Sequence, residues 1–255
     1  MRFAASADAY DRFMGRYSIH LAPTFADFAQ VSSGQRVLDV GCGPGALTTE
    51  LVIRLGTSSV AAVDPAEQFA VAARERHPGV EVQVAAAEQL PFRDGEFDAA
   101  LAQLVVHFME NPVRGLAEMA RVTRDGGRVA ACVWDHAGKQ SPLAAFWDAV
   151  HRLDTAAPDE SGMAGGHQGH LTELLTEAGL TAVAEEAITV RVEHDTFVAW
   201  WEPFTLGVGP AGAYLSSIDG ARQAAVRGRC LAALGPGPFT IQARVWAARG
   251  SVSRG

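Results

Sequence analysis

Apolar residues along this chain repeat with two periods that replace each other from one segment to the next. Val37-Leu-Asp-Val40 and Val60-Ala-Ala-Val63 are short apolar runs without alternation, the pattern of parallel strands buried on both faces. Between them, Ala46 to Leu55 carries apolar residues at helical spacing, and Asp64-Pro65-Ala66-Glu67 reads as a helix start with proline near the first turn. The exchange continues. Val80 to Ala85 is a half-alternating third strand, Phe97 to Ala102 a fourth, Pro112 to Val122 an amphipathic helix, Arg124 to Gly127 a turn and Arg128 to Trp134 a fifth strand. Regularly alternating strands and helices predict an α/β fold built on a parallel sheet.

The pattern differs at both ends. Ser6 to Val31 reads as helical, with Tyr10, Phe13, Met14, Tyr17, Leu21, Phe25 and Phe28 at three- and four-residue steps. After Trp134 a helix at Ser141 to Leu153 is followed by Thr155 to Gly169, rich in Gly, Ala, Pro and Ser, which reads as a mobile loop. Leu171 to Ala178, capped by Gly179, and a sixth strand at Ala184 to Val192 resume the core; Asp195 to Leu234 holds further helical patterns, and Phe239 to Ala248 alternates as a last strand.

Composition narrows the function. At 255 residues with 48% hydrophobic and 20% charged, the chain fits one globular domain of generous size. A net charge of −8 argues against a nucleic-acid footprint and for a small-molecule substrate. Cys42, Cys132 and Cys230 have no metal or disulfide spacing and read as small buried hydrophobes; Gly165-Gly-His-Gln-Gly-His170 lacks further ligands and reads as a lid loop, so no metal is expected. The N-terminus has no apolar signal region and no stretch is long and apolar enough to span a bilayer, so a cytoplasmic protein without a membrane partner is expected.

The chemistry concentrates where the first strand meets its helix. In Arg36-Val-Leu-Asp-Val-Gly-Cys-Gly-Pro-Gly-Ala46, three glycines let the backbone turn sharply and let a ligand lie on the main chain, beside backbone N–H groups and a helix N-terminus. Dinucleotide sites use G-x-G-x-x-G, whereas here Asp39-x-Gly41-x-Gly43-x-Gly45 sets an acid ahead of the glycines. A pyrophosphate is poorly served by that acid; a ligand carrying an ammonium or a sulfonium is not. Asp64, ending the second apolar run, is placed to accept both hydroxyls of a ribose.

The string VLDVGCGPG resembles motif I of the class I S-adenosylmethionine-dependent methyltransferases. So does Ala86-Ala-Glu-Gln-Leu-Pro-Phe-Arg-Asp-Gly-Glu-Phe-Asp98, which is similar to that family's adenine loop at Glu88, Leu90, Pro91, Phe92, Asp94, Phe97 and Asp98, but has Ala86 where the family usually has an acid. The resemblance is specific over Tyr10 to Trp134. It implies a Rossmann-like, doubly wound, seven-stranded, mostly parallel sheet with its last strand antiparallel at the edge. It also implies a helical cap at 1–35, a cofactor-binding core at 36–134, lids over the substrate at 135–170 and 195–235, and the remaining core at 171–194 and 236–250.

The implied cofactor is S-adenosylmethionine, held by Asp39, Gly41, Cys42, Gly43, Asp64 and Pro65, with Ala87 and Glu88 at the adenine and Leu90 packed below it. Gln103, at a strand tip, is a further candidate contact through the Ala102–Gln103 backbone. The N-terminal segment resembles one that folds over this site, so Arg16 is a candidate partner of the methionyl carboxylate, and Tyr10, Phe13 or Tyr17 of the sulfonium. His107, four residues beyond Gln103, shares its face if the segment is helical and is a candidate cofactor contact or base. His136, His167, His170, Trp134, Trp200 and Trp201 are available as walls or bases for the acceptor. The expected activity is methyl transfer to a small molecule. Two rivals are a protein that holds the cofactor without turnover, which Ala86 makes worth carrying, and a nicotinamide-dependent oxidoreductase, which lacks its fingerprint here.

Overall fold

The computed structural model describes residues 6–254; of the expected N-terminal cap, residues 1–5 lie outside the described residues. The apolar runs form strands β1 (Val37–Val40), β2 (Val60–Asp64), β3 (Glu81–Val84), β4 (Phe97–Gln103), β5 (Thr123–Trp134), β6 (Thr181–His194) and β7 (Phe239–Ser251). They make one sheet in the order β3-β2-β1-β4-β5-β7-β6. Strands β1 to β5 pair in parallel, while β7 runs antiparallel to both neighbours. The antiparallel last strand therefore lies between β5 and β6 and not at the edge; β6 and β3 are the edges. Its burial explains the place: Ala243, Val245, Ala247 and Ala248 are fully enclosed, which an edge strand with one open side does not provide. The turn expected at Arg124 to Gly127 is drawn into β5, where Gly126 N donates to Val252 O and Val252 N to Gly127 O at 2.9 Å each.

Helices cover both faces, and two apolar cores result. One packs α2 (Arg16–Phe28), α3 (Ala46–Leu55), α4 (Glu67–Arg76), α6 (Ala144–His151), α8 (Phe197–Trp201), α9 (Gly209–Ser217) and α10 (Gly220–Leu234) against one side. The other holds α5 (Pro112–Val122) and α7 (His170–Glu177). The sequence sets the ends of several of these. Asn111 caps α5 by accepting from Arg114 N at 3.0 Å with Pro112 in the first turn, and Asp219 caps α10 by accepting from Arg222 N at 2.9 Å. The N-terminal helical run is broken: α1 (Ala7–Tyr10) passes through a wider π turn at Asp11–Gly15 before α2. Such an extra residue per turn shifts which side chains face the protein.

The sheet order reverses between β2-β1 and β4, so the loops leaving the C-terminal ends of β1 and β4 part there. In an open parallel sheet this is where a ligand crevice forms.

Candidate active site

The crevice starts from the turn after β1. Gly41 and Gly45 adopt φ of +71° and +100°, and added Cβ atoms would lie 2.5 Å from Val105 and 2.9 Å from His77 Nε2. Only glycine fits at either place. Gly43 differs in having open space out to Tyr10 Cε1 at 3.8 Å, so its bare backbone borders the hollow. The amides of the turn are occupied, which corrects the expectation of free donors. Gly41 N and Cys42 N donate to Val63 O at 2.8 and 2.9 Å, Gly43 N to Asp64 Oδ2 at 2.9 Å and Gly45 N to Cys42 O at 2.9 Å. The turn is thereby tied to the tip of β2, and what it shows the hollow is shape rather than a nest for an anion.

The hollow has a volume of about 540 Å³, within the usual range of sites that enclose small ligands. Tyr10, Gly41, Gly43, Asp64, Pro65, Ala86, Ala87 and Glu88 line it, and so do Phe69, Leu104, Val105, Phe108 and Met109. Asp64 also accepts from Ala66 N at 2.8 Å through Oδ1. Burial pushes its pKa up to about 6 against these two amide donors. An ionised carboxylate has about four acceptor positions, so two amides leave room for two hydroxyls. Around the rim stand three carboxylates, Asp64, Glu88 and Glu110, and one guanidinium, Arg114. That balance suits a ligand carrying positive charge and opposes a pyrophosphate. Bare backbone, an underused carboxylate and this charge fit the S-adenosylmethionine expected from the sequence.

Several predicted residues lie elsewhere. Asp39 is buried behind the turn, where its Oδ2 accepts from Thr48 Oγ1 at 2.6 Å; burial, and to a smaller extent Asp64, raises its pKa to about 7. Cys42 is buried with Sγ turned to Gly43 O at 3.4 Å, and burial raises its pKa. Leu90 joins the core. Arg16 points away: its guanidinium donates to Phe13 O, Ala199 O and Trp200 O at 3.1 Å each, fixing the N-terminal cap to α8. Tyr17 packs in the core with its hydroxyl 3.1 Å from His194 Nε2. Gln103 turns its side chain inward and donates to Ser18 O at 3.1 Å. His107 does not share its face, because Leu104 has φ of +63° and the segment holds only a 3₁₀ turn at Val106–Phe108.

His107 instead walls a second, smaller cavity that shares Tyr10, Leu104 and Phe108 with the hollow. Phe13, Trp134 and His136 line it, as do Glu160 and Val208. Trp200 and Trp201 pack in the core, and His167 and His170 stack on each other at 4.7 Å between ring centroids, outside both cavities. Among the described residues no group of three or more His, Cys, Asp or Glu is placed to hold a metal. No helix among them is long and apolar enough to cross a membrane.

Local sequence did not single out Phe69 and Arg114 in the hollow or Glu160 in the small cavity. Phe69 is five residues past Asp64, on the first turn of α4, so position after a strand tip was an available signal. Glu160 sits inside a loop whose composition predicts mobility, yet its carboxylate is buried and accepts from Trp147 Nε1 at 2.8 Å.

Residues 38–131 match the family described as "Methyltransferase domain". An uncharacterized methyltransferase of Mycobacterium bovis is 35% identical over 135 residues, covering 53% of this chain and 52% of that one. The chain thus spans about half the length of the curated relatives it matches. Among solved structures, a SAM-dependent methyltransferase from Thermotoga maritima superposes with a TM-score of 0.55 at 19% identity, covering 96% of this chain and 99% of that one. A geranyl diphosphate C-methyltransferase of Streptomyces coelicolor, solved with S-adenosyl-L-homocysteine, superposes with a TM-score of 0.52 at 14% identity, covering 91% and 78%. At these identities the likeness is one of fold.

Proposed function

We propose that this chain, whose residues 38–131 match a methyltransferase domain and whose fold is shared with solved methyltransferases, transfers a methyl group from S-adenosylmethionine to a small-molecule acceptor by in-line displacement. The observation that carries the reading is the hollow at the tips of β1 and β2. Its side-chain-free Gly43 faces Tyr10, Asp64 has acceptor positions to spare, and its rim is net acidic.

In this reading Asp64 takes the ribose hydroxyls. Pro65 and Phe69 flank the nucleoside, the backbone at Ala86 and Ala87 receives the adenine edge, and Glu88 adds an acceptor while holding Asn111 N at 3.2 Å. Gly41 and Gly43 border the methionyl part, and Tyr10, in the lining beside Gly43, supplies an aromatic ring for the cation. When bound, the cofactor supplies a methyl already activated on sulfonium, so no nucleophilic side chain is required. The chain's work is to hold donor and acceptor in line and to keep water out. Residues 135–170 and 195–235 select the acceptor, since they supply His136, Glu160 and Val208 to the adjoining cavity.

The test is calorimetry with S-adenosylmethionine and with NAD on the intact chain. Micromolar binding of the first without the second is expected, followed by formation of S-adenosylhomocysteine with an acceptor. Binding of NAD alone refutes the proposal; binding without turnover across a broad acceptor panel leaves only a holding role.

A further inference from the structure

The small cavity next to the hollow contains polar atoms that the fold leaves without partners. His107 Nδ1 and His136 Nε2 are both buried and neither makes a hydrogen bond, although most buried polar atoms do. Their ring centroids are 5.9 Å apart, within the span of one oxygen bonded at about 2.8 Å to each ring. A fold that leaves two imidazole nitrogens orphaned in one niche bears a cost of the kind offset when a ligand arrives.

Resting on the methyl-transfer reading above, we propose that this niche receives the hydroxyl of the methyl acceptor, a neutral phenol or enol on an apolar ring, and that His107 and His136 hold its oxygen beside the methyl donor. Three observations point to this chemistry. The niche shares Tyr10, Leu104 and Phe108 with the hollow, so the two sites meet at those residues. A neutral imidazole is a donor at one nitrogen and an acceptor at the other. The free nitrogen of each ring can therefore take either role, and a hydroxyl, which both donates and accepts, is satisfied by one of each.

Third, among the described residues no Lys or Arg lines the niche, and its one carboxyl, Glu160, is buried against Trp147. Burial holds both imidazoles neutral, with His107 down to about 3 and His136 to about 4, and raises Glu160 to about 7. A carboxylate or phosphate acceptor would find no countercharge there.

The volume of about 30 Å³ takes one hydroxyl-sized group, so the ring of the acceptor enters when the Val208-Gly209-Pro210 segment draws back from Phe13. Gly207 and Gly209, at φ of +70° and +63°, flank Val208 and are where the backbone of that segment can turn; a Cβ on Gly209 would meet Phe13 at 4.0 Å. In the reaction the acceptor oxygen's lone pair forms the new C–O bond as the C–S bond breaks and its electron pair returns to sulfur. The hydroxyl proton passes to an imidazole nitrogen and on to water, since the niche disfavours an imidazolium.

The test uses the full chain with and without S-adenosylhomocysteine, titrated with 2-naphthol, 2-methoxynaphthalene and 2-naphthoate and followed by tryptophan fluorescence, Trp134 being in the niche wall. Naphthol is expected to bind at least tenfold more tightly than either comparison. His107→Phe and His136→Phe each weaken naphthol about tenfold while leaving methoxynaphthalene and S-adenosylhomocysteine within threefold.

Should a variant fold poorly, nitrogen shifts of ¹⁵N-labelled histidines in the unaltered chain report the same contact. His107 Nδ1 and His136 Nε2 move on adding naphthol. Equal or tighter binding of naphthoate, no naphthol binding, or unmoved histidine signals at saturation overturn the assignment. If S-adenosylhomocysteine binds while naphthol shows no preference, the niche assignment alone fails. If S-adenosylhomocysteine does not bind, the methyl-transfer reading fails, and the titration without it still judges the niche.

Discussion

Replacing Asp64 by Asn tests the hollow most directly. In the structure both carboxylate oxygens accept backbone amides, Gly43 N at 2.9 Å and Ala66 N at 2.8 Å. Asparagine has one acceptor oxygen, so one amide would face an NH₂ group; that mismatch costs about 1–3 kcal/mol of stability. The ligand loses more. Two ribose hydroxyls donating to a charged carboxylate are worth about 1.5–3 kcal/mol each, and the neutral amide forfeits one bond and weakens the other. A loss of about 3 kcal/mol is roughly a hundredfold in Kd.

The assay is calorimetric titration with S-adenosylhomocysteine, with circular dichroism to show that Asp64→Asn is folded. Protonation supplies a second arm on the unaltered chain. Burial raises the Asp64 pKa to about 6, and hydroxyl donors need the ionised form, so affinity is flat above that pH and falls about tenfold per unit below it. A folded Asp64→Asn chain that keeps its affinity within threefold, or an affinity independent of pH between 7 and 5, refutes the assignment of Asp64.

Other outcomes follow from the same geometry. Gly41→Ala puts a Cβ 2.5 Å from Val105 at a positive φ and is expected to destabilise by about 2 kcal/mol or more in a denaturant titration. Gly43→Ala has steric room; it should cost about 1 kcal/mol of stability from φ alone while weakening S-adenosylhomocysteine at least tenfold. Arg16→Met removes three bonds to backbone carbonyls and should lower stability by about 2 kcal/mol with cofactor affinity unchanged within threefold, measured by thermal melting and calorimetry. His107 is held neutral, its pKa reduced from 6.5 to about 3 by burial first and then by His136. The unfolded chain therefore binds the extra proton, and stability is lost as pH falls below 6.5. At pH 5 the effect is about 2 kcal/mol, so His107→Phe should show a smaller loss of Tm between pH 7 and 5 than the unaltered chain.

Much of this molecule is legible in local sequence because its core strands are uniform. Val37 to Val40 and Val60 to Val63 are buried on both faces, and a run without alternation has no other comfortable place. The glycine turn and Asp64 could be placed for a similar reason: a strand tip, a positive φ and a carboxylate three residues before the next helix are all near neighbours in the chain.

What failed was inferred from spacing across a segment of unknown backbone. Gln103 and His107 seemed to share a helical face; the left-handed turn at Leu104 separated them, sending one to Ser18 and the other to the niche. Arg16 carries the right charge for a carboxylate, but the π turn before it and the carbonyl ends of α8, some 184 residues away, decide where it points.

The sequence by itself determined the strands, the direction of their connections and the glycine cradle, because these depend on burial period and on backbone freedom at single residues. The tertiary structure alone decided that β7 lies inside the sheet, that the cradle's amides are already taken, and that His107, His136 and Glu160 meet. Those outcomes depend on which distant surfaces compete for the same partners, and nothing in a residue's own neighbourhood along the chain encodes that competition.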